Sequence, residues 1–582
     1  MSANQEARFT PEQMALLEKY FTSATDPVYV MKGPEGLKGA LSARVSRAAT
    51  GVRETFLEEF VENGSVKVSR GDELIDRVLN AIGDDSVAEL ENTHVVFERI
   101  SVLNTKEWED RRIGGSPIEK STRYVFFDKR DEQGNFPYHR DKKIMASPAA
   151  TVYVEAMDFI FQTYCDLIPP LTEFYKAWRP LDTVRYKLRE KEEAFTYADC
   201  KDDEERKKFR FTYKQDIRTQ ACDTLRCILP LSTEVVMVIN GNGRYFLHAL
   251  NHCYSQALSE VRDVATKAHG ALDNVIPKYV QRAKASPYLI RLRESMRELV
   301  PTLRETLYYG YVPSEHAPIS LLDFEPDLII DVMRRSGGLN PSALLDGIRR
   351  EEDSLVIACM LFPYCDLPLS HIRNRVRVMR AETTERIIAA YVGDRQSRRD
   401  RPGRAFEAGY PYTFDNTTDF GTFKDLERHR MCTQLRQEFS PHLGFNMPAD
   451  IIIAGFKGQV DACVEKAQAL HAMLVSSGFR DEAQYATLHG SAIRWVLGIN
   501  DRGLHHMLEL RTQPQGHSSY RKACQEMHRL ATARSPWRGN VMQFVDHKDY
   551  VSARGDSEAR QRVKEDKLGI TVQSEEDNDS ED

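Results

Sequence analysis

The residues best suited to chemistry in this sequence are arginines, histidines and hydroxyl groups in two short segments. The first segment is Ser116-Pro-Ile-Glu119-Lys-Ser121-Thr-Arg123-Tyr124, which follows two glycines. A hydroxyl two residues from a guanidinium can hold one phosphate jointly with it, and a nearby carboxylate can accept a ring or ribose hydrogen bond. An exposed loop with a solvated arginine is the plainer interpretation, so this segment alone does not decide between the two.

The second segment is the triplet Arg428-His429-Arg430, which ends a pattern that predicts a helix over residues 419–430. Three consecutive bulky donors around a helix end can clamp a diphosphate. A basic helix C-terminus is also what the helix dipole favours. Both interpretations stay open for the triplet by itself.

The sequence also repeats itself. The pattern Asn-x-Arg-x-x-x-His begins at Asn242 and again at Asn500. Matched positions around these two patterns keep the same order: Glu89 and Glu407, Arg112 and Arg430, Arg262 and Arg521, His269 and His528. Five matched positions in one order indicate a duplicated domain.

Strands and helices must position these residues. Residues 94–102 are rich in Val, Phe and Ile and predict a strand, with Asn104 as the N-cap of the following helix. Asn500 and Arg511 are eleven residues apart, which is close to three full turns, so on one helix they share a face. Arg511 is therefore expected on the same side of its helix as the start of the Asn500 motif.

The spacing between the matched positions predicts the domain boundaries. Arg112 lies 130 residues before Asn242, whereas Arg430 lies only 70 residues before Asn500, so the first copy carries an insertion. We expect a first domain over residues 1–315, with a charged insertion of surface loops and exposed helices at about 125–215. A second domain is expected over residues 316–555, and a disordered acidic tail over residues 556–582.

The composition excludes several classes of protein. The 582 residues are 41% hydrophobic and 29% charged, which is typical of folded chains. The net charge is −7, and six of the acidic residues lie in the last eight positions, so the chain before them is nearly neutral. Nucleic-acid binding is therefore not expected. No apolar run approaches the roughly 20 residues of a membrane span, and the N-terminus is polar, which predicts a cytoplasmic protein. The ten cysteines form no Cys-x-x-Cys pair, and no metal site is predicted.

Taken together, the motifs resemble those of the flavin-dependent thymidylate synthases, the ThyX family. That family is marked by Arg-His-Arg, a Ser-x-Arg-Tyr ending, and downstream an Asn-x-Arg with another arginine eleven residues after the asparagine. The resemblance implies an α+β chain of two tandem ThyX-like domains. Each would be a mainly antiparallel sheet with packed helices.

The family's motifs are divided between the two copies. In the second copy the resemblance assigns cofactor binding to Arg428, His429, Arg430, Asn500, Arg502 and His506. In the first copy it assigns substrate binding to Glu119, Ser121, Arg123, Tyr124 and Arg226, joined by Arg511 of the second copy. Several positions depart from the pattern: the first triplet is Asp110-Arg111-Arg112, Cys253 stands for the downstream arginine, and Glu438, Ser440 and Gln484 replace family residues in the second copy.

The resemblance further implies conversion of dUMP to dTMP with FAD as cofactor and NADPH and methylenetetrahydrofolate as co-substrates. Arg511 and Arg226 would be the catalytic residues, because buried cationic donors polarise the uracil ring. Since family members are homotetramers with shared sites, a homodimer of this duplicated chain would imitate the tetramer. Two alternatives stay open: the same chemistry on another nucleotide or acceptor, or a noncatalytic flavin-binding or nucleotide-binding regulator.

Overall fold

The structure is a computed structural model that describes residues 9–45, 48–82, 85–189, 193–335, 341–394, 403–409, 412–540, 542–550 and 554–568. Its contacts divide the chain into two compact units. Unit 1 contains residues 1–120 and 234–290, and unit 2 contains residues 121–233 and 291–582. The boundary between residues 290 and 291 lies within the helix over Pro287–Thr302.

The strands of the described residues form two main sheets and one hairpin. They are β1 (Val61–Glu62), β2 (Ser65–Val66), β3 (Asn92–Ser101), β4 (Gly115–Glu119), β5 (Glu234–Asn242), β6 (Ile319–Phe324), β7 (Tyr412–Asp419), β8 (Cys432–Arg436) and β9 (Ala492–Ile499). Strands β1 and β2 form the hairpin. The first main sheet has the order β3-β5-β4 and the second has the order β6-β7-β9-β8, and every pairing is antiparallel.

Helices account for most of the remaining described residues. Those before residue 260 are α1 (Pro11–Tyr20), α2 (Lys38–Val45), α3 (Val52–Glu59), α4 (Val68–Asp76), α5 (Val102–Glu109), α6 (Lys142–Met145), α7 (Ala150–Trp178), α8 (Asp203–Leu225) and α9 (Gly243–Tyr254). They are followed by α10 (Ser259–Asp273), α11 (Pro277–Val280), α12 (Pro287–Thr302), α13 (Arg304–Tyr308), α14 (Glu325–Arg335), α15 (Pro341–Leu361), α16 (Leu369–Val376) and α17 (Ala381–Val392). The last are α18 (Phe420–Leu426), α19 (Ala449–Ile453), α20 (Lys457–Ser476), α21 (Asp501–Arg511), α22 (Ser518–Arg534), α23 (Pro536–Asn540) and α24 (Arg554–Leu568).

The two main sheets have the same strand order in each copy of the repeat. In unit 1, β3 and β4 flank β5; in unit 2, β7 and β8 flank β9, and β6 adds an edge. Buried side chains alternate along β5, where Val235, Met237 and Ile239 face the helices of unit 1. This repetition confirms the expected α+β class, with antiparallel sheets and packed helices in two repeated regions.

The same turn leads from sheet to helix in both copies. The side chain of Asn242 accepts a hydrogen bond from the backbone N–H of Tyr245 at 2.8 Å, and Asn500 accepts one from Gly503 at 2.9 Å. Asn242 therefore ends β5 and Asn500 directly follows β9, and each asparagine caps the next helix, α9 or α21. The prediction that Asn500 and Arg511 lie on one helix is confirmed, with Asn500 at its cap and Arg511 in its last turn.

Two predicted helix boundaries are wrong. The N-cap after β3 is Ser101, whose hydroxyl accepts a hydrogen bond from the N–H of Asn104 at 3.0 Å, so Asn104 lies inside α5. Helix α18 ends at Leu426 rather than at the triplet. The chain must reverse before β8 begins at Cys432, because β8 pairs antiparallel with β9, and residues 427–431 make that reversal.

The insertion of the first copy is more than surface loops. Val184, Tyr186, Phe195, Cys200 and Phe209 form a buried cluster within it. Ala559 of α24 completes this cluster, and α24 packs against α8. Helix α24 (Arg554–Leu568) therefore overlaps residues 556–568 of the segment expected to be disordered, and its Ala559 closes an apolar core. Residues 569–582 of that segment lie outside the described residues.

The compact units do not coincide with the two copies of the repeat. Residues 121–233, which the repeat places in the first domain, belong to unit 2. The boundary at residues 315 and 316 concerns the repeat and stays a prediction. Among the described helices, none combines the length and the apolar character needed to cross a membrane.

Candidate active site

Tyr520 of α22 lies between two arginines in unit 2. Its side chain is 5% exposed, and its hydroxyl accepts a hydrogen bond from Nη1 of Arg123 at 3.2 Å. The guanidinium carbon of Arg123 is 5.5 Å from the centre of the tyrosine ring, and that of Arg511 is 5.8 Å from it. Both distances are within the range of a cation–π contact. One aromatic ring therefore orients two cations, one from each copy of the repeat.

Arg123 forms a two-bond pair with Asp223 at the C-terminal turn of α8. Its Nε donates to Oδ1 of Asp223 at 2.7 Å and its Nη2 donates to Oδ2 at 3.0 Å. Burial disfavours the charged arginine, but the Asp223 carboxylate prevails and raises the pKa of Arg123 well above its ordinary value. Arg123 is thus a permanent cation. Its two parallel donors, Nε and Nη2, which we call the fork, are occupied by a carboxylate.

Arg226 pairs with Asp425 of α18. The distance from Nη2 of Arg226 to Oδ2 of Asp425 is 3.0 Å, and the arginine side chain is 4% exposed. Burial alone would raise the pKa of Asp425, but Arg226, Arg123 and His517 lower it to about 2. The backbone of α18 approaches this guanidinium closely, since a Cβ at Gly421 would lie 3.1 Å from Nη2 of Arg226. A side chain at Gly421 would require this guanidinium to shift by a few tenths of an ångström.

Arg511 is held by the histidine of the triplet. Its Nε donates to Nε2 of His429 at 2.8 Å, which requires that nitrogen to be unprotonated. Burial, Arg511 and His506 lower the pKa of His429 to about 3. His429 is therefore a neutral acceptor that orients the guanidinium of Arg511.

The other residues assigned to the cofactor lie on an exposed surface. Arg428, Arg430, Asn500, Arg502 and His506 are all exposed. The turn that follows the triplet lies against the first turn of α21, because a Cβ at Gly503 would be 3.1 Å from the carbonyl oxygen of Met431. The rings of His429 and His506 are 5.9 Å apart. The structure thus brings the triplet and the start of α21 together.

The remaining substrate residues of the first segment have different surroundings. Ser121 is half-buried, and its hydroxyl accepts a hydrogen bond from the N–H of Arg123 at 3.2 Å. Tyr124 is exposed. Glu119 belongs to unit 1, where it is buried with Oε2 3.5 Å from Nζ of Lys106. Within unit 2, Ser121 and Arg123 are the members of this segment that meet.

The positions that depart from the family pattern have structural contacts. Glu438 pairs with Arg297 at 2.9 Å and with Arg480 at 3.1 Å. Ser440 caps the short helical turn that follows it, and Gln484 accepts a hydrogen bond from the N–H of Phe439 at 3.1 Å. These side chains make structural contacts within unit 2.

The first copy's counterpart of Arg511 is also part of the core. Cys253 of unit 1 is fully buried, and burial raises the pKa of its thiol well above the ordinary value. A neutral buried thiol cannot supply the positive charge of an arginine. In the described residues of unit 1, the nearby His252 instead pairs with Glu107 at 2.8 Å.

Four residues of this site were not predicted from the sequence: Asp223, Asp425, Tyr520 and His517. His517 caps α22, and its Nδ1 accepts from the N–H of Ser519 at 3.2 Å. Burial and the charges of Arg226 and Arg123 lower the pKa of His517 to about 4. The sequence feature that could have identified His517 and Tyr520 is their position at the start of the helix that follows Arg511. The aspartates carried no motif, because their partners lie far away in the sequence.

Comparison with known proteins relates the chain to one family along most of its length. A family model described as "Thymidylate synthase complementing protein" matches residues 31–278 and 352–537. A UPF0159 protein of Chlamydia muridarum is 30% identical over 577 residues, which covers 96% of this chain and all of that protein. UPF0159 proteins of Chlamydia pneumoniae and Thermoplasma acidophilum are 31% and 26% identical, over 96% and 90% of this chain and 98% and 99% of their own.

The His429–Arg511 bond predicts a pH-dependent stability. Because the pKa of His429 is about 3 in the folded chain and ordinarily 6.5, only the unfolded chain binds this proton at intermediate pH. The free energy of unfolding should fall as the pH decreases from 6.5, by about 1.4 kcal/mol per pH unit from this group. In His429→Gln the amide oxygen still accepts from Arg511 but does not titrate. Urea unfolding measured at several pH values from 6.0 to 4.5 gives the free energy of unfolding as a function of pH. This dependence should be less steep in the variant by about 1.4 kcal/mol per pH unit. An equal dependence on pH in the two proteins would contradict the assignment.

Proposed function

Because the chain belongs to the thymidylate synthase complementing protein family, we propose that it is a FAD-dependent thymidylate synthase. It converts dUMP to dTMP, with methylenetetrahydrofolate as the carbon donor and NADPH as the reductant. The observation that carries this proposal is the convergence of Arg123, Arg226 and Arg511 within unit 2, with Tyr520 between the first and the last. Arg123 and Arg226 come from the first copy of the repeat and Arg511 from the second.

Arg123 and Ser121 bind the phosphate of the nucleotide in this proposal. An arginine guanidinium matches two phosphate oxygens, and the half-buried hydroxyl of Ser121 accepts from the backbone N–H of the same arginine. The raised pKa of Arg123 keeps the fork charged throughout the ordinary pH range. Ser121 is a ligand here and not a nucleophile.

Arg226 and Arg511 polarise the uracil ring. Arg226 is buried and Arg511 is half-buried, and away from bulk water a fixed positive charge stabilises developing negative charge far more than it does in water. His429 is a positioning residue, since its neutral ring accepts from Nε of Arg511 and leaves the terminal nitrogens of that guanidinium to donate elsewhere. Asp425 positions Arg226 in the same manner.

The exposed surface of the second copy fits a flavin diphosphate. Arg428, Arg430 and Arg502 present three guanidinium groups near the N-terminus of α21, and Asn500 and His506 add polar donors and acceptors. FAD bound there would supply hydride to the reaction, with NADPH as the source of electrons. The chain's own residues bind the diphosphate and hold the nucleotide beside it.

The flavin assignment predicts unequal effects of matched arginines in the two copies. Arg430→Ala should lose most of the bound FAD, because a diphosphate without its guanidinium partner loses charge-assisted hydrogen bonds. The matched variant Arg112→Ala should retain it. The FAD content is measured by absorbance after release from the purified protein. Equal losses in the two variants, or no flavin in the wild type, would refute the assignment.

The proposed flavin site also bears on the oligomeric state of the protein. A flavin on the exposed triplet surface needs a further surface to exclude water, and a second chain provides it with twofold symmetry. We expect a homodimer, in which four copies of the repeat take the place of the four subunits of the family's tetramer. Light scattering during gel filtration should give the mass of two chains. A monomer that retains flavin would contradict this part.

If Arg123 binds the phosphate of dUMP, its replacement should weaken nucleotide binding. Arg123→Ala should weaken dUMP binding by roughly ten- to a hundredfold, because a two-bond contact from arginine to phosphate is lost. The FAD content should not change. Calorimetric titration with dUMP measures the affinity, and dTMP release with both co-substrates tests the reaction. A protein that oxidises NADPH but neither binds nor converts dUMP would favour another acceptor.

A further inference from the structure

Asp223 occupies the position on Arg123 that a phosphate would take. Its two carboxylate oxygens accept from Nε and Nη2 of Arg123 at 2.7 and 3.0 Å. Carboxylate and phosphate oxygens both bind the arginine fork with two parallel hydrogen bonds. The two side chains are 11% and 16% exposed, so an anion from solvent can reach the pair.

The charges around Tyr520 favour the replacement of one carboxylate by an incoming phosphate over the addition of a phosphate. Three guanidinium groups face three carboxylates there, Asp223, Asp425 and Asp419, while the rings of His429 and His517 are neutral. Adding a phosphate dianion to this set would leave excess negative charge in a poorly hydrated site, which is unfavourable. Displacing Asp223 toward solvent removes part of that excess.

Asp223 is the carboxylate that can leave. Asp425 faces two cations that favour its charge, Arg226 and Arg123, and the side chain of Arg226 is 4% exposed. Two other side chains of α8 have their own partners, because the Thr224 hydroxyl is hydrogen-bonded to Tyr175 at 2.7 Å and Asp216 accepts from Arg179 at 2.8 Å. A rotation of the Asp223 side chain would open the guanidinium of Arg123 without breaking either bond.

We propose that Asp223 is an intramolecular competitor for the phosphate subsite and sets its affinity and selectivity. A ligand must displace a carboxylate that is already in place, so only a group that binds the fork better than a carboxylate succeeds. The subsite therefore takes phosphate monoesters and rejects carboxylates and uncharged nucleosides. This inference rests on the proposed nucleotide site but concerns its phosphate end alone.

The test compares three ligands on the full-length protein by calorimetric titration: dUMP, deoxyuridine, and ribose 5-phosphate as a phosphate monoester without a base. Asp223→Asn should bind dUMP and ribose 5-phosphate at least tenfold more tightly than the wild type, whereas its affinity for deoxyuridine should not change. Asp223→Glu keeps the competing charge and should retain weak binding. A gain in affinity cannot arise from partial unfolding of the variant. If Asp223→Asn does not fold, Asp223→Ser should give the same gain in affinity.

The matched control is Asp216→Asn, which removes a carboxylate paired with an arginine from the same helix. Its affinity for both phosphate ligands should equal that of the wild type. Unchanged or weaker binding of ribose 5-phosphate and dUMP to Asp223→Asn would overturn the inference, and so would an equal gain in the control. If ribose 5-phosphate binds Asp223→Asn more tightly but dUMP binds neither protein, Asp223 is a competitor and the proposed substrate is wrong.

Discussion

Buried guanidinium groups are the constraint on which the rest of this site depends. A charged arginine in a poorly hydrated interior is stable only when carboxylates, rings or other acceptors surround it. Arg123, Arg226 and Arg511 obtain these partners from Asp223, Asp425 and His429, respectively. The partners come from α8, α18 and the reversal after α18. Electrostatic pairing therefore fixes how segments of both copies of the repeat lie in unit 2.

Duplication explains why positions proposed to bind ligands in one copy have structural contacts in the other. Glu438 stands where the family pattern has a serine, yet it joins Arg297 and Arg480 in an ion-pair network. Cys253 stands for an arginine and fills the core of unit 1. Once one copy supplied a ligand, the matching position in the other could change to suit local packing. The two copies share a sheet order but no longer share a surface chemistry.

The sequence was informative where function depends on spacing. The asparagine caps and the place of Arg511 on α21 follow from short patterns, because a helix turn relates residues that are close in the chain. Asp223 and Asp425 could not be found in this way, since each meets an arginine about 100 or 199 residues away. Helix α18 was expected to be longer because its helical pattern continues through the triplet, whereas antiparallel pairing of β8 demands a reversal there.

The packing of α24 has a consequence for biosynthesis. Tyr186 and Phe209 are made early, but Ala559, which closes their cluster, leaves the ribosome long afterwards. Until then the apolar surface of the insertion stays uncovered on the nascent chain, where it is open to chaperones. Since α8 carries Phe209 of this cluster, the packing of that helix is completed only after translation has passed α24.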